Sequence, residues 1–406
     1  MPFRFLTAGE SHGKALVAIV EGVPAGLPLT AEAINQQLVR RMQGYGRGAR
    51  MKIEADAVEF LAGVRAGETL GSPLALQIAN RDWANWEDVM AAEGRGELRR
   101  RRVTRPRPGH ADLVGVLKFD RLDARDILER ASARETAARV AAGAVARRLL
   151  EEFGVEIGSH VVSLGGVHSS VGAALPQPLN AAADRSPIRM LDAAAEQAAI
   201  KAIDAAKQSG DTLGGEVEVV ARGVILGLGS HTHWDRKLDS RLASMLMSIP
   251  AVKGVEIGLG FEAARRPGSA VHDPIAADAG DGIDPRGGFR RLSNNAGGLE
   301  GGMTTGEPLV VRVAMKPIST LMSPLRTVDL TSGGEAQAQS ERSDVTAVPA
   351  MGVIAEALVA IVLVDAMLEK FGGDSLAEMR RNVESYLAAL GRRWRELRQD
   401  APSTGG

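Results

Sequence analysis

A chain of 406 residues with 45% hydrophobic and 24% charged side chains has the composition of a folded protein with a substantial core, which excludes a globally disordered chain. Its 49 basic residues are matched by 50 acidic ones, so no overall field draws it onto nucleic acid or an anionic membrane, and any anion site has to be local. The absence of cysteine excludes disulfides, thiolate catalysis and cysteine-held zinc or iron–sulfur groups.

The first stretch, MPFRFLTAGESHG, has neither a basic leader nor a long apolar run before a small-residue cleavage site, so no signal peptide is expected and the cytoplasm is the expected compartment. Thr30 is placed to cap a helix over 31–42. The alternating runs KIEADAVEF (52–60) and SPLALQI (72–78) predict strands half buried on one face. A Ser132/Glu135 capping box opens a second helix, whose alanine spacing predicts close packing and which stops before Gly154. A third helix covers about 192–208, and strands follow at GEVEVVARGVIL (215–226) and EPLVVRVAM (307–315). The segment 265–302, rich in glycine, aspartate and arginine, is too long for an ordinary connection and reads as a functional loop or lid. The most hydrophobic stretch, 349–368, approaches membrane-span length, but Glu356 in its middle favours a buried core helix, begun at Pro349 and stopped by Gly372 and Gly373. Residues 391–406 read as a polar tail that frays. The elements do not repeat as strict βαβ units and no Pro/Ser linker divides them. The expected class is therefore α+β, one domain over 1–390 with helices covering antiparallel sheets.

Ser11 and His12 stand side by side in TAGESHGKAL (7–16). Successive side chains of an extended stretch point to opposite faces, so a relay inside the dipeptide is geometrically poor and partners must come from elsewhere. Seven arginines lie between Arg95 and Arg107, just ahead of Gly109 and His110, and a second group, Arg40, Arg41, Arg47 and Arg50, is interleaved with glycines. Glycines let the backbone approach a ligand closely, and guanidinium forks grip carboxylate and phosphate oxygens in pairs, so two such loops suit a small polyanion. Two tyrosines in the whole chain offer little stacking surface for nucleic acid. GGLEGGMTTG (297–306) matches neither the dinucleotide nor the nucleotide-triphosphate glycine pattern. The helix opening at Ser132, flanked by Arg130 and Arg134, is the better anion site. His231, His233 and His272 lack the spacing of a metal site, so no metal is expected, and His160 and His168 sit in strand-like sequence and read as structural. His12 and His110, each beside glycine in a loop, are the acid–base candidates. Asp344, with Arg342, precedes the last core helix and is either its cap or a proton acceptor.

GESHG (9–13) with EGVPAGLPL behind it, RRMQGYGRGARM (40–51), RPGHAD (107–112), ERASARETAARVAAGA (129–144), AGGLEGGMTTGEPL (296–309), MKPIST (315–320) and RSDVTAVPA (342–350) each resemble, in order and over almost the whole chain, a signature of the chorismate synthase family. The resemblance implies a β-α-β sandwich with antiparallel sheets in the core and helices outside, assembled as a homotetramer. It implies a lyase forming chorismate and phosphate from 5-enolpyruvylshikimate 3-phosphate by a 1,4-anti elimination, the last common step of the shikimate pathway to aromatic compounds. It also implies reduced FMN with no net redox change, because a flavin that lends and regains electron density eases loss of a weakly acidic C–H together with phosphate.

By position in those motifs, His12 would protonate the departing phosphate, His110 would keep the flavin in its protonation state, and Asp344 would act with flavin N5 on the ring proton. Ser11 then resembles a hydrogen-bonding site residue, not a nucleophile. FMN contacts would come from Arg130, Ala131 and Ser132, from Pro250 and Ala251, from Gly301, from Lys316, Pro317, Ile318, Ser319 and Thr320, and from Arg342. Arg41, Arg47, Arg50, Arg107 and Arg134 would hold the substrate's phosphate and carboxylates, the first two also being where the family's NADPH contact is placed. The absence of long insertions favours a separate flavin reductase over reduction by NADPH on this chain. Pro250 stands where family members often carry a polar residue, which points to a backbone contact there, and Arg99 to Arg102 fit no signature. Two competing readings stay open: a serine hydrolase using Ser11, which lacks the GxSxG elbow, and a polyanion-binding protein using residues 95–107.

Overall fold

The structure is a computed structural model of the chain and describes residues 2–48, 55–93, 101–172, 174–277, 286–340 and 344–399. Two antiparallel sheets frame it. The first holds β1 (Arg4–Ala8), β2 (Ala15–Glu21), β3 (Val58–Ala62) and β4 (Leu74–Ala79) in the order β1-β2-β4-β3. Its register pairs Leu16 with Ile78, Ala18 with Leu76 and Val20 with Leu74; all six are buried, while Leu6 and Ile19 are exposed. That is the period-2 alternation of a sheet with one covered face. The second sheet holds β5 (Glu156–Leu164), β6 (Val167–His168), β7 (Gly215–Arg222), β8 (Val252–Ile257) and β9 (Leu309–Met315) in the order β8-β9-β7-β5-β6. The strand expected over 52–60 starts only at Val58, and residues 52–54 of it lie outside the described residues.

The longer helices are α1 (Ala31–Met42), α2 (Asp112–Lys118), α3 (Arg125–Ala131), α4 (Thr136–Glu151), α5 (Ala193–Ser209), α6 (Leu238–Met247), α7 (Val348–Phe371) and α8 (Leu376–Gln399). α4 rests on the first sheet, α7 on the second, and the two pack on each other. The α+β class with antiparallel sheets matches the expectation, and these two helices form the middle layer of the expected β-α-β sandwich. Burial explains why: from Val348 to Leu368 only Asp365 escapes full burial, and a helix apolar all round has no face to offer water. Each buried leucine, valine or isoleucine there contributes about 1.5–3 kcal/mol. Gly143 sets the close approach of the pair, since a Cβ on it would fall 2.4 Å from the Ala357 Cβ.

One charge interrupts α7. Glu356 is 1% exposed and accepts from Arg40 at 2.8 and 3.0 Å, Arg147 at 2.9 Å, Arg189 at 3.0 Å, Ser159 at 2.6 Å and Asn180 at 3.0 Å. Burial works to raise its pKa, yet the surrounding guanidinium groups outweigh it and hold the carboxyl well below the usual range. The cluster fastens α1 and α4 to α7.

The helix ends are fixed by local hydrogen bonds. The Thr30 hydroxyl accepts from the Ala33 N–H at 3.3 Å, Asp192 caps α5, and Gly210 closes it at φ +73. The Ser132/Glu135 box does not close: Glu135 turns to Arg139 at 2.9 Å, an i,i+4 ion pair, and a short 3-10 turn at Ala133–Glu135 precedes α4. In the 265–302 segment, Ile275–Ala277 pairs with Phe289–Arg291 as a short hairpin. Residues 278–285 lie outside the described residues, and no described residue of the segment lines the cavity that the functional candidates share. The polar stretch from 391 continues α8 to Gln399.

Candidate active site

The ends of these elements converge where α4 and α7 begin. Contributions come from the β1–β2 loop, the end of α1, the turn ahead of α2, the end of α3, the turn between α6 and β8, the stretch after β9, and the residues ahead of α7. They enclose a cavity of about 430 Å³, a size usual for small-molecule sites. Thr136 and Ala350, in the first turns of α4 and α7, line the same cavity, where the positive ends of the two helix dipoles favour anions.

His12 is held on three sides. Its Nδ1 lies 3.0 and 2.9 Å from the two Glu129 oxygens, and its backbone N–H donates to Glu129 Oε2 at 2.9 Å. Its ring stacks on Trp86 with centroids 3.9 Å apart. His110 has a similar arrangement, its Nδ1 lying 2.5 Å from Asp112 Oδ1. Asp112 is fully buried and also accepts from the Arg107 backbone N–H, Nε and one terminal nitrogen at 3.0, 2.8 and 3.1 Å. Burial pushes the Asp112 carboxyl up, but the hydrogen bonds of His110 and Arg107 outweigh it and hold it far below the ordinary range. An ionised carboxylate only accepts, so the hydrogen of each histidine sits on Nδ1 and the other ring nitrogen is left for the cavity. Such a pairing fixes orientation and tautomer, which acid–base work requires.

Asp344 does not cap α7, whose N-cap is Ala347. Its carboxylate instead accepts from the Gly48 N–H at 2.6 Å and pairs with Arg47 at 3.2 Å, drawn into the cavity wall by the loop after α1. Arg41 donates to Thr136 Oγ1 and the Ala133 carbonyl, each at 3.0 Å, and burial lowers its pKa to about 10 against the opposing charge of Asp56. Arg134 is fixed by Asp56 at 2.5 Å and by Asn80 at 3.0 and 2.8 Å. Lys316 donates to the Gly109 carbonyl at 2.9 Å, and burial, aided by nearby Lys253, lowers its pKa. Gly109 adopts φ +78 to present that carbonyl. The remaining wall is apolar, with Leu128, Met315, Ala350 and Ile354.

Of the residues expected at the site, Ser11, His12, Arg41, Arg47, Arg107, His110 and Asp344 line this one cavity, together with Ala131, Ser132, Arg134, Pro250, Ala251, Lys316, Ile318, Ser319 and Thr320. Three described residues do not. Arg130 points back to Thr7 and Gly9, with bonds of 2.7 to 3.2 Å; Gly301 sits in the turn of the hairpin Leu299–Glu300 with Met303–Thr304; Pro317 lies between two lining residues without lining the cavity itself. Arg50 and Arg342 are outside the described residues, as are Arg99 and Arg100. Ser132 Oγ donates to Ser11 Oγ at 3.2 Å, so Ser11 meets a neighbouring hydroxyl in the cavity wall. Among the described residues no group of three or more His, Cys, Asp or Glu is arranged to hold a metal ion.

The sequence reading missed Glu129, Asp112, Asp56, Asn80 and Trp86. Glu129 and Asp112 lie inside the motifs ERASARET and RPGHAD, so their neighbours were marked, but nothing local says that a carboxylate will meet a histidine 117 residues away. The assembled site pairs two oriented imidazoles with a carboxylate in a cavity rich in guanidinium groups, an arrangement for proton transfer on a small anionic molecule.

Comparison with known proteins agrees with the motifs. Residues 3–368 match the family model described as chorismate synthase. The chain is 59% identical to the chorismate synthase of Pelobacter propionicus over 384 residues, covering 94% of this chain and 98% of that one. It is 55% identical to that of Aquifex aeolicus over 392 residues, covering 95% and 97%. A solved structure described as a crystal structure of chorismate synthase superposes with a TM-score of 0.77 at 45% identity, covering 97% of this chain and 99% of that one. The chain belongs to the chorismate synthase family, a family of lyases.

Proposed function

We propose that the protein eliminates phosphate from 5-enolpyruvylshikimate 3-phosphate to give chorismate, at the last common step of the shikimate pathway, and that it requires reduced FMN with no net redox change. The observation that carries this reading is the meeting of His12, His110 and Asp344 in one cavity lined by Arg41, Arg47, Arg107, Arg134 and Lys316. Among the described lining residues five are cationic and Asp344 alone is anionic, a balance suited to a substrate with a phosphate and two carboxylates.

The lining also fits a flavin. A flat ring needs an apolar wall, offered by Leu128, Ala131, Met315 and Ile318, and an anionic tail needs donors, offered by Ser132, Lys316, Ser319 and Thr320. Pro250 and Ala251 complete that wall, with Ala251 at φ +69 and its carbonyl accepting from the Lys316 N–H at 3.0 Å. Arg342 would add a contact from outside the described residues, and Arg130, Gly301 and Pro317 take no direct part in this reading. FMN, when bound, supplies electron density to the reacting ring and takes it back. His12 passes a proton to the leaving phosphate oxygen, Asp344 takes the ring proton on a carboxylate oxygen, and His110 holds a proton against the flavin. Ser11 orients the substrate, and Arg41, Arg47, Arg50, Arg107 and Arg134 bind its anionic groups.

The same reading places the protein in the cytoplasm as a homotetramer. Arg41 and Arg47 double as an NADPH contact if the chain reduces its own flavin; otherwise a separate reductase supplies it. The test is anaerobic incubation with FMN, dithionite and 5-enolpyruvylshikimate 3-phosphate, following chorismate and phosphate. Equal amounts of both, only with reduced FMN, are expected. Flavin-independent ester cleavage would favour a hydrolase, and salt-sensitive RNA binding alone would favour the polyanion reading.

A further inference from the structure

Glu129 is 2% exposed, and its carboxylate oxygens meet His12 Nδ1 and accept from the His12 backbone N–H. Its backbone carbonyl accepts from the Ser11 N–H at 2.9 Å, so side chain and main chain grip the same dipeptide. Arg125 donates to Glu129 Oε1 at 2.9 Å and also lies 5.0 Å from the centroid of Trp86, the ring on which His12 stacks with planes 26° apart. Trp86 is itself anchored by its Nε1, which donates to Asp82 at 3.0 Å. The imidazole is thus set in position by a carboxylate at its Nδ1 edge and an indole on its face. Neither partner is among the residues that line the cavity.

We propose that Glu129 is the positioning residue of His12: it fixes the Nδ1–H tautomer, holds the ring plane against Trp86, and stabilises the imidazolium that donates from Nε2. The inference rests on the elimination reading above. In that step the C–O bond to phosphate breaks with its electron pair staying on the leaving oxygen. The Nε2 proton passes to that oxygen, and His12 is left neutral, still bonded to Glu129. Burial works to raise the Glu129 carboxyl, but the hydrogen bonds and charge of His12, with Arg125, outweigh it and keep the carboxyl below its ordinary range. The group is therefore ionised, and it receives the Nδ1 hydrogen without taking it.

The experiment is a double-mutant cycle in the anaerobic assay, with Glu129→Gln, His12→Ala and the pair, each checked for melting temperature. Glu129→Gln keeps the volume and the backbone contact to Ser11 but removes the charge behind Nδ1. A kcat lower by about 10²-fold is expected, with KM within about threefold and the double variant no slower than His12→Ala. A structural role would instead lower kcat of the double variant multiplicatively, and that result, or a kcat of Glu129→Gln within about threefold of wild type, overturns the proposal. If Glu129→Gln does not fold, Glu129→Asp serves. It keeps the charge but draws it back by one methylene, so a kcat loss near tenfold at an unchanged melting temperature supports the proposal, and no loss overturns it. Failure of the elimination reading looks different, since the wild-type protein would then make no chorismate at all.

Discussion

Replacing Glu356 by Gln tests how much of the fold depends on one buried charge. The substitution keeps the shape of the side chain in the middle of α7 and removes its charge, while Arg40, Arg147 and Arg189 stay 13%, 15% and 6% exposed. An amide oxygen can still accept two of the present bonds, but the amide nitrogen has to face a guanidinium donor or Asn180, which repels it. Breaking a buried ion pair by removing one partner costs about 3–5 kcal/mol, a large share of the ~5–15 kcal/mol that holds a typical domain. Urea unfolding at pH 7 should show the unfolding free energy lower by that amount, read as a fall in midpoint of that loss divided by an unchanged m-value. The sign of the pH dependence follows from the depressed carboxyl. A group whose folded pKa lies below its unfolded value of ~4.3 contributes fully above that value and loses its contribution as pH falls toward the folded pKa. The gap between wild type and Glu356→Gln should therefore stay constant from neutral pH down to about 5 and narrow only below about 4. A loss under about 1 kcal/mol, the range of exposed pairs, would refute the reasoning by showing that water already solvates the cluster.

Gly143→Ala should lower stability by about 1–3 kcal/mol through overpacking, because its Cβ would meet Ala357 at 2.4 Å; thermal melts should show part of the loss regained on adding Ala357→Gly. Asp112→Asn leaves His110 Nδ1 and the Arg107 fork facing an amide, so turnover should fall about 10²-fold or more; an unchanged kcat in the anaerobic assay would show that His110 needs no orienting carboxylate. His110→Ala, in a loop and 17% exposed at its side chain, should lower turnover far more than melting temperature, and matched losses of both would make it a structural residue.

What could be read from the sequence was what short-range chemistry decides. Thr30 and Pro349 mark helix starts because their effects act within one turn, and Glu356 betrayed a core helix because a membrane would not tolerate it at that depth. The closed Ser132 box failed for an equally local reason: Arg139 competes for Glu135. The middle-layer placement of α4 and α7 came through the family resemblance and not from local pattern, since it depends on which sheets find each helix face. Asp344 illustrates the limit best. Its position before a helix suited a cap as well as a proton acceptor, and the cap is lost to Arg47 and Gly48, more than 290 residues earlier in the chain, which hold the carboxylate instead. Glu129 and Asp56 were silent for the same reason, their meaning residing in the cations and imidazole they meet.

The claim on which the account turns is that His12, His110 and Asp344 serve one reaction in one cavity. The most direct measurement is single-turnover formation of chorismate by His12→Ala, His110→Ala and Asp344→Ala, each with reduced FMN under argon and each first shown to melt near the wild-type temperature. The account predicts that all three make product at least about 10²-fold more slowly than wild type. Any one of them forming chorismate at the wild-type rate would contradict it.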